Sequence, residues 1–305
     1  MPALFEDVLK QRHIPYQKNV EAKNLCTLRI GGRCRYLLEP LCLGDLVECV
    51  RLCRFFGVPY HVIGRGSNIL FSDKPQPCAL IRTVALNACR IEGHCLIGDC
   101  GVTLPQLARR AALGGFGDLT FAAGIPGTLG GGVLMNAGAH EKCIGDLVEW
   151  VKAFDPASGK IRTLFNKQLS FSYRNSVFKV NNCIILQACL RLQRCGDPTS
   201  FAAEIKTALR QRAATQPLDL PSAGSVFLRT DEGVSMGKII DELGLKGTRC
   251  KGAEISPKHG GFIVNLGDAK AVDVCRLINI VKATVKRERG FVPKTEICMI
   301  GIEDV

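Results

Sequence analysis

The chain has 305 residues, 47% hydrophobic and 22% charged, and a formal net charge of +12 from 40 Lys and Arg against 28 Asp and Glu. That length suits about two domains and a core that needs no disulfide or structural metal, and the composition excludes disordered and collagen-like chains. The positive balance favours anionic partners, whether phosphorylated small molecules, nucleic acid or an acidic membrane surface, without choosing among them.

Residues 1–18 carry Glu6 and Asp7 and no apolar run, so neither a signal peptide nor a transit peptide is expected and the expected address is cytoplasmic. The uncharged stretch 119–140 is long enough to span a membrane, but it holds Gly124, Gly127, Gly130, Gly131, Gly132 and Gly138 with Pro126 and Asn136. It reads as a glycine-rich loop leading into a helix, and no membrane insertion is expected. Sixteen cysteines form no CxxC pair and fit no disulfide framework. Cys49 and Cys53 lie four apart on a predicted helix, and Cys183 and Cys189 fall in an apolar strand-like run, where a thiol packs as a small hydrophobe. The histidines at 13, 61, 94, 140 and 259 show no ligand spacing, so no metal site is expected.

Periodicity predicts a helix over 45–56 with Leu46, Val50 and Cys53 on one face, stopped by Gly57. A strand over 58–63 runs into the turn Gly64-Arg65-Gly66-Ser67-Asn68. Strands are predicted over 79–82 and 95–99, and a helix over 103–113 begins at a Thr cap and ends at Gly114 and Gly115. After the glycine block, 147–155, 160–165 and 183–192 read as strands of a sheet. A composition shift near residues 195–198 precedes an amphipathic helix over 199–215. Beyond it come a proline-punctuated loop over 216–225, a helix over 236–243, a strand over 261–265, a helix over 271–289 and a last strand over 295–302. No repeat of solenoid or propeller period is present.

The chemistry concentrates in loops. Gly64-Arg65-Gly66-Ser67-Asn68-Ile69 follows a predicted strand, and Ala123-Gly124-Ile125-Pro126-Gly127-Thr128 precedes a predicted helix. Glycine lets backbone approach a bound group, and helix N-terminal amides attract phosphate, so the pair suggests a diphosphate cradle. Tight turns and close helix packing would explain either loop alone. Neither loop is the Rossmann fingerprint, and Gly237-Lys238 lacks the Walker A context. Arg174, in the segment Phe171-Ser172-Tyr173-Arg174-Asn175-Ser176, could fork onto a carboxylate or stack as a surface cation on Tyr173. Ser225 follows small residues that permit close approach, but Phe227 breaks the hydrolase elbow pattern. Glu296 stands in an otherwise apolar terminal segment, where a carboxylate is costly without a partner.

Together these segments, with Asn136-Ala137-Gly138-Ala139, Gln216-Pro217, Gly244-Leu245-Lys246-Gly247 and Lys258-His259-Gly260-Gly261-Phe262-Ile263-Val264-Asn265, resemble the UDP-N-acetylenolpyruvoylglucosamine reductase family in order and spacing from about Leu25 to Glu296. The chain is similar to the shorter class of that family. The resemblance implies an α+β protein: an FAD-binding fold of the vanillyl-alcohol-oxidase type in two subdomains over 1–196, a smaller α+β substrate domain over 197–290, and a terminal strand over 291–305 returning to the active site. It further implies FAD as cofactor, NADPH as hydride donor, a nucleotide-sugar substrate carrying an enolpyruvyl group, no nucleic-acid partner and a monomer.

Carried over residue by residue, the resemblance makes Ser225 the proton donor and gives Arg174 and Glu296 the substrate carboxylate. It gives FAD the residues Gly64, Arg65, Gly66, Ser67, Asn68, Ile69, Ala123, Gly124, Ile125, Gly127, Thr128, Gly131, Gly132, Asn136 and Ala137, and the substrate Tyr173, Arg229, Lys258 and Asn265. Leu228-Arg229-Thr230 departs from the family's usual continuation after the serine, with Arg229 as the substitute cation. A flavin oxidase of the same fold and a basic nucleic-acid-binding protein are the alternatives, the latter resting on Lys282, Lys286, Arg287 and Arg289.

Overall fold

In the computed structural model, residues 2–139, 141–193 and 196–303 are described, with side chains from Leu4 onward. His140, Cys195 and the last two residues of the expected terminal segment lie outside them. The chain divides into two compact units, one of residues 1–18, 36–65 and 77–211, the other of residues 19–35, 66–76 and 212–305.

The first unit is built on a five-stranded antiparallel sheet with spatial order Lys160–Phe165, Val148–Asp155, Ile184–Arg191, Cys95–Asp99 and Cys89–Glu92. Alternation along Val148–Asp155 explains its central place: Val151 and Ala153 are buried, while Lys152 points to water. The helix Leu104–Leu113 begins at the expected cap, where Thr103 Oγ1 accepts from the Gln106 amide at 3.3 Å and Gln106 Oε1 accepts from the Thr103 amide at 3.1 Å. A reciprocal cap of this kind stabilises a helix start by about 1 kcal/mol. Leu104, Leu107, Ala108 and Ala111 then bury one face in a core shared with Leu46, Val50, Cys53, Ile81, Leu96 and Phe154. Tyr60–Ile63 pairs in parallel with Gln76–Arg82, a strand longer than predicted.

The second unit carries a four-stranded antiparallel sheet in the order Ser222–Ser225, Phe262–Asn265, Ala253–Ile255 and Arg249–Cys250, with the helix Ala271–Arg289 packed on it. That helix buries Val274, Leu277, Ile278, Val281 and Val285, a periodic apolar face. Its first amides are received by Asp73, whose Oδ1 and Oδ2 accept from Ala271 and Val272 at 2.9 and 3.2 Å, and Lys286, Arg287 and Arg289 sit at the opposite end, where cations suit the helix dipole. That placement gives the basic cluster a structural reason.

The predicted terminal strand is shorter than expected. Only Cys298–Ile300 forms it, in parallel with Ile69–Phe71, and Glu296 lies just before it. Ile69–Phe71, Tyr16–Glu21 and Arg33–Leu38 are further strands beyond those the sequence pattern predicts. Among the described residues fifteen cysteines are free thiols. None of the described helices is long and apolar enough to cross a membrane.

Candidate active site

The two glycine loops supply the first part. Gly64 lies directly against Thr128: a Cβ at Gly64 would come 2.3 Å from Thr128 Oγ1, so only glycine lets the turn after Tyr60–Ile63 approach the loop before the helix Leu129–Leu134. Arg65 is exposed beside this junction. An exposed guanidinium next to two closely apposed backbone loops suits the diphosphate of a dinucleotide such as FAD.

The helix start contributes less than the sequence suggests. The Leu129 and Gly130 amides, which would face a phosphate, donate instead to the Val102 and Cys100 carbonyls at 2.8 Å each. The Gly132 amide donates to Thr128 O at 2.7 Å, and a Cβ there would meet Leu104, so the glycine lets the helix pack closely. Ala137 likewise donates to Gly132 O and accepts from the Ile144 amide.

Asn136 braces the neighbouring loop. It is buried, with φ 43°, and its Nδ2 donates to Ser172 O at 2.9 Å while Oδ1 accepts from the Gly145 amide at 2.8 Å. Its side-chain amide therefore fastens the arginine loop. Ser176 Oγ anchors the other end, donating to Leu134 O at 2.8 Å. Between the anchors Ser172 and Asn175 exchange both backbone hydrogen bonds across a two-residue turn, with Arg174 at φ 52° in the left-handed region that usually takes glycine or asparagine. Holding a bulky residue there costs of order 1 kcal/mol. Arg174 Nη2 donates to Gly138 O at 3.2 Å, and its guanidinium lies 5.2 Å from the centre of the half-exposed Tyr173 ring. The stacked reading of Arg174 is thus the observed one, with the cation held in a fixed orientation.

In the second unit Ser225 closes the strand Ser222–Ser225, half-buried, with Oγ donating to Phe227 O at 3.2 Å. Gly261 keeps the hydroxyl accessible, since a Cβ there would come 3.1 Å from Ser225 Oγ and equally close to His259 Cε1. His259 Nδ1 accepts from the Gly261 amide at 3.0 Å, and burial holds this imidazole below its ordinary range. Glu296 is brought to the same place by its backbone: its amide donates to Val226 O at 2.8 Å, and Asn68 Nδ2 donates to Glu296 O at 3.0 Å. The Cys298 amide in turn donates to Asn68 O at 2.9 Å. Asn68, expected as an FAD ligand, spends its side-chain amide on positioning Glu296, a role with no signature in the sequence.

The substrate-binding expectations divide. Arg229 is exposed next to the segment whose Leu228 amide donates to Lys294 O. Lys258 is exposed, with one ammonium hydrogen given to Ala213 O at 2.5 Å. Asn265 is buried: its Nδ2 donates to Leu28 O and Arg29 O, and its Oδ1 accepts from the Gly267 and Ala269 amides. All four bonding positions of the side-chain amide are filled by protein, so it braces a loop.

Comparison with known proteins accords with this layout. Residues 216–300 match the model of the UDP-N-acetylenolpyruvoylglucosamine reductase C-terminal domain, and residues 35–164 match an FAD binding domain. The chain is 40% identical over 301 residues to the UDP-N-acetylenolpyruvoylglucosamine reductase of Caldicellulosiruptor bescii, covering 97% of this chain and 94% of that protein. It is 38% identical to the reductase of Synechococcus sp. RCC307, covering 93% and 94%. The crystal structure of the Thermus caldophilus reductase superposes with a TM-score of 0.78 at 31% identity, covering 94% of this chain and 98% of that one. The α+β FAD-binding fold read from the sequence is thus the observed one. The chain belongs to the UDP-N-acetylenolpyruvoylglucosamine reductase family, FAD-dependent oxidoreductases of peptidoglycan precursor synthesis.

Proposed function

We propose that this chain reduces the enolpyruvyl group of UDP-N-acetylglucosamine enolpyruvate to UDP-N-acetylmuramate, with NADPH as the source of electrons, Arg174 and Glu296 acting on the substrate carboxylate and Ser225 giving the proton. The observation that carries the reading is the backbone linkage of Glu296 to Val226, next to Ser225, inside a chain whose relatives bear this activity in their names.

FAD, when bound, supplies the hydride that adds to the enolpyruvyl double bond. Negative charge then builds on the substrate carboxylate as an enolate, and a fixed cation such as the Arg174 guanidinium stabilises that charge more in the transition state than in the ground state. A serine hydroxyl is a weak acid, so Ser225 can protonate only a strongly basic carbon held within hydrogen-bond reach. Its present bond to Phe227 O is long at 3.2 Å and is readily given up for such a partner. Ser225 regains its proton from solvent, so each turnover consumes one hydride and one proton. Arg229 and Lys258 suit the substrate diphosphate. The proposed division of labour is FAD binding by 1–196, substrate binding by 197–290 and return of Glu296 by 291–305, in a cytoplasmic monomer.

Anaerobic visible absorption tests the reading. NADPH should bleach the flavin of the purified protein, and UDP-N-acetylglucosamine enolpyruvate should restore the yellow oxidised spectrum without oxygen. A protein that bleaches but does not recover with this substrate would refute the substrate assignment and leave the fold untouched.

A further inference from the structure

Three strands of the five-stranded sheet bring two thiols and a carboxylate to one point. The antiparallel register sets Cys95 opposite Arg191 and Ile97 opposite Cys189. Cys189 and Arg191 are two apart on one strand, so Cys95, Cys189 and Arg191 emerge on the same sheet face. Glu149 arrives from the strand on the other side, at an irregularity where Val148 pairs with Leu190 but Trp150 pairs with Cys189. The extra residue is Glu149 itself, and a bulge of this kind re-aims a side chain that regular pleating would send elsewhere.

Glu149 Oε2 accepts from Cys95 Sγ at 3.5 Å and from Cys189 Sγ at 3.8 Å, and one ligand atom from each of the three residues lies within 4.8 Å of the others. Glu149 Oε1 is held by Arg191 Nη2 at 2.6 Å. Cys189 is buried, whereas Cys95 and Glu149 are half-buried and Arg191 is exposed, so the cluster is reachable from solvent. Two thiols sharing one carboxylate oxygen form only weak hydrogen bonds, since S–H is a poor donor. Two sulfurs and a hard oxygen converging on one point suit a thiophilic divalent ion better.

We propose that Cys95, Glu149 and Cys189 form a binding site for zinc, with water as fourth ligand. In a tetrahedral site with Zn–S near 2.3 Å the two sulfurs stand about 3.8 Å apart, so the present trio closes by about 1 Å or less. Binding releases the two thiol protons to solvent, which leaves two thiolates and one carboxylate around a doubly charged ion. The net charge of that group is −1, and Arg191 balances it. The same guanidinium orients the liganding carboxylate through its other oxygen, as the outer partners of metal ligands do. None of these residues belongs to the groups assigned to FAD or substrate, so zinc loading is separable from flavin reduction.

The test uses the flavin-loaded protein under reducing conditions, stripped with chelator and dialysed against a slight excess of zinc. The wild-type chain and a Cys42→Ser/Cys298→Ser control, which removes two exposed thiols, should each retain one zinc more per chain than Cys95→Ser or Cys189→Ser. Glu149→Gln, which keeps both thiols, should weaken retention at least tenfold. Flavin content identifies any variant that has failed to fold, and Glu149→Gln decides the question should the buried Cys189→Ser do so. Absence of retained zinc on the wild-type chain, or equal retention by folded Cys95→Ser and Glu149→Gln proteins, would overturn the proposal.

Discussion

The amide of Glu296 donates to the carbonyl of Val226 at 2.8 Å, which ties the last acidic residue before the terminal strand to the residue following Ser225. Asn68 reinforces the tie through its bond to Glu296 O. Asn68→Ala is therefore expected to slow reduction of the enolpyruvyl substrate about tenfold, the scale of a modest loss of orientation, with flavin bleaching by NADPH within twofold of wild type. Rapid-mixing absorption measures both halves. Equal slowing of the two would place Asn68 at the flavin instead.

Ser225→Ala should leave bleaching by NADPH intact and lower substrate-driven reoxidation by roughly 10²–10⁴-fold, the usual worth of a positioned proton donor. Near-normal reoxidation would remove Ser225 from the chemistry.

Arg174 combines charge, a planar fork and an αL backbone. Arg174→Lys keeps the charge and loses the fork, so it should raise the substrate KM and slow enolpyruvyl reduction by about 10–100-fold. Arg174→Gly relieves the backbone at φ 52° but should fare worse, because electrostatic stabilisation is lost altogether. Steady-state kinetics of the two variants rank the contributions.

Asn265→Ala leaves the Leu28 and Arg29 carbonyls and the Gly267 and Ala269 amides without their partner. A loss of about 2–4 kcal/mol of stability is expected, with substrate KM unchanged in the folded fraction. Denaturant unfolding read beside KM separates this bracing role from a binding one.

Burial pushes the Cys53 and Cys100 thiols up to about 12. A raised thiol pKa means the reactive thiolate appears only at high pH, so at pH 8 these residues should resist iodoacetamide while exposed Cys42 and Cys298 are alkylated. Peptide mass spectrometry after timed labelling checks the order. Early modification of Cys53 would mean that the first unit opens locally.

Local information was enough for much of this protein. The helix Ala271–Arg289, the Thr103 cap and the strands Cys95–Asp99 and Lys160–Phe165 were legible because period, caps and turn residues act over a few neighbours. The motifs that carry the family resemblance, from Gly64 to Glu296, were legible for the same reason: each is a short run of residue types. Only the tertiary structure decided what the polar side chains of those motifs do. Asn265 and Asn136 look like ligand residues in sequence, but a buried amide must satisfy every donor and acceptor, and the partners that do so lie in distant segments. Asn68 acquires its task from a residue 228 positions away. Cys95, Glu149 and Cys189 share no spacing pattern, because strand pairing and one bulge bring them together, and pairing is a long-range property that no local run encodes.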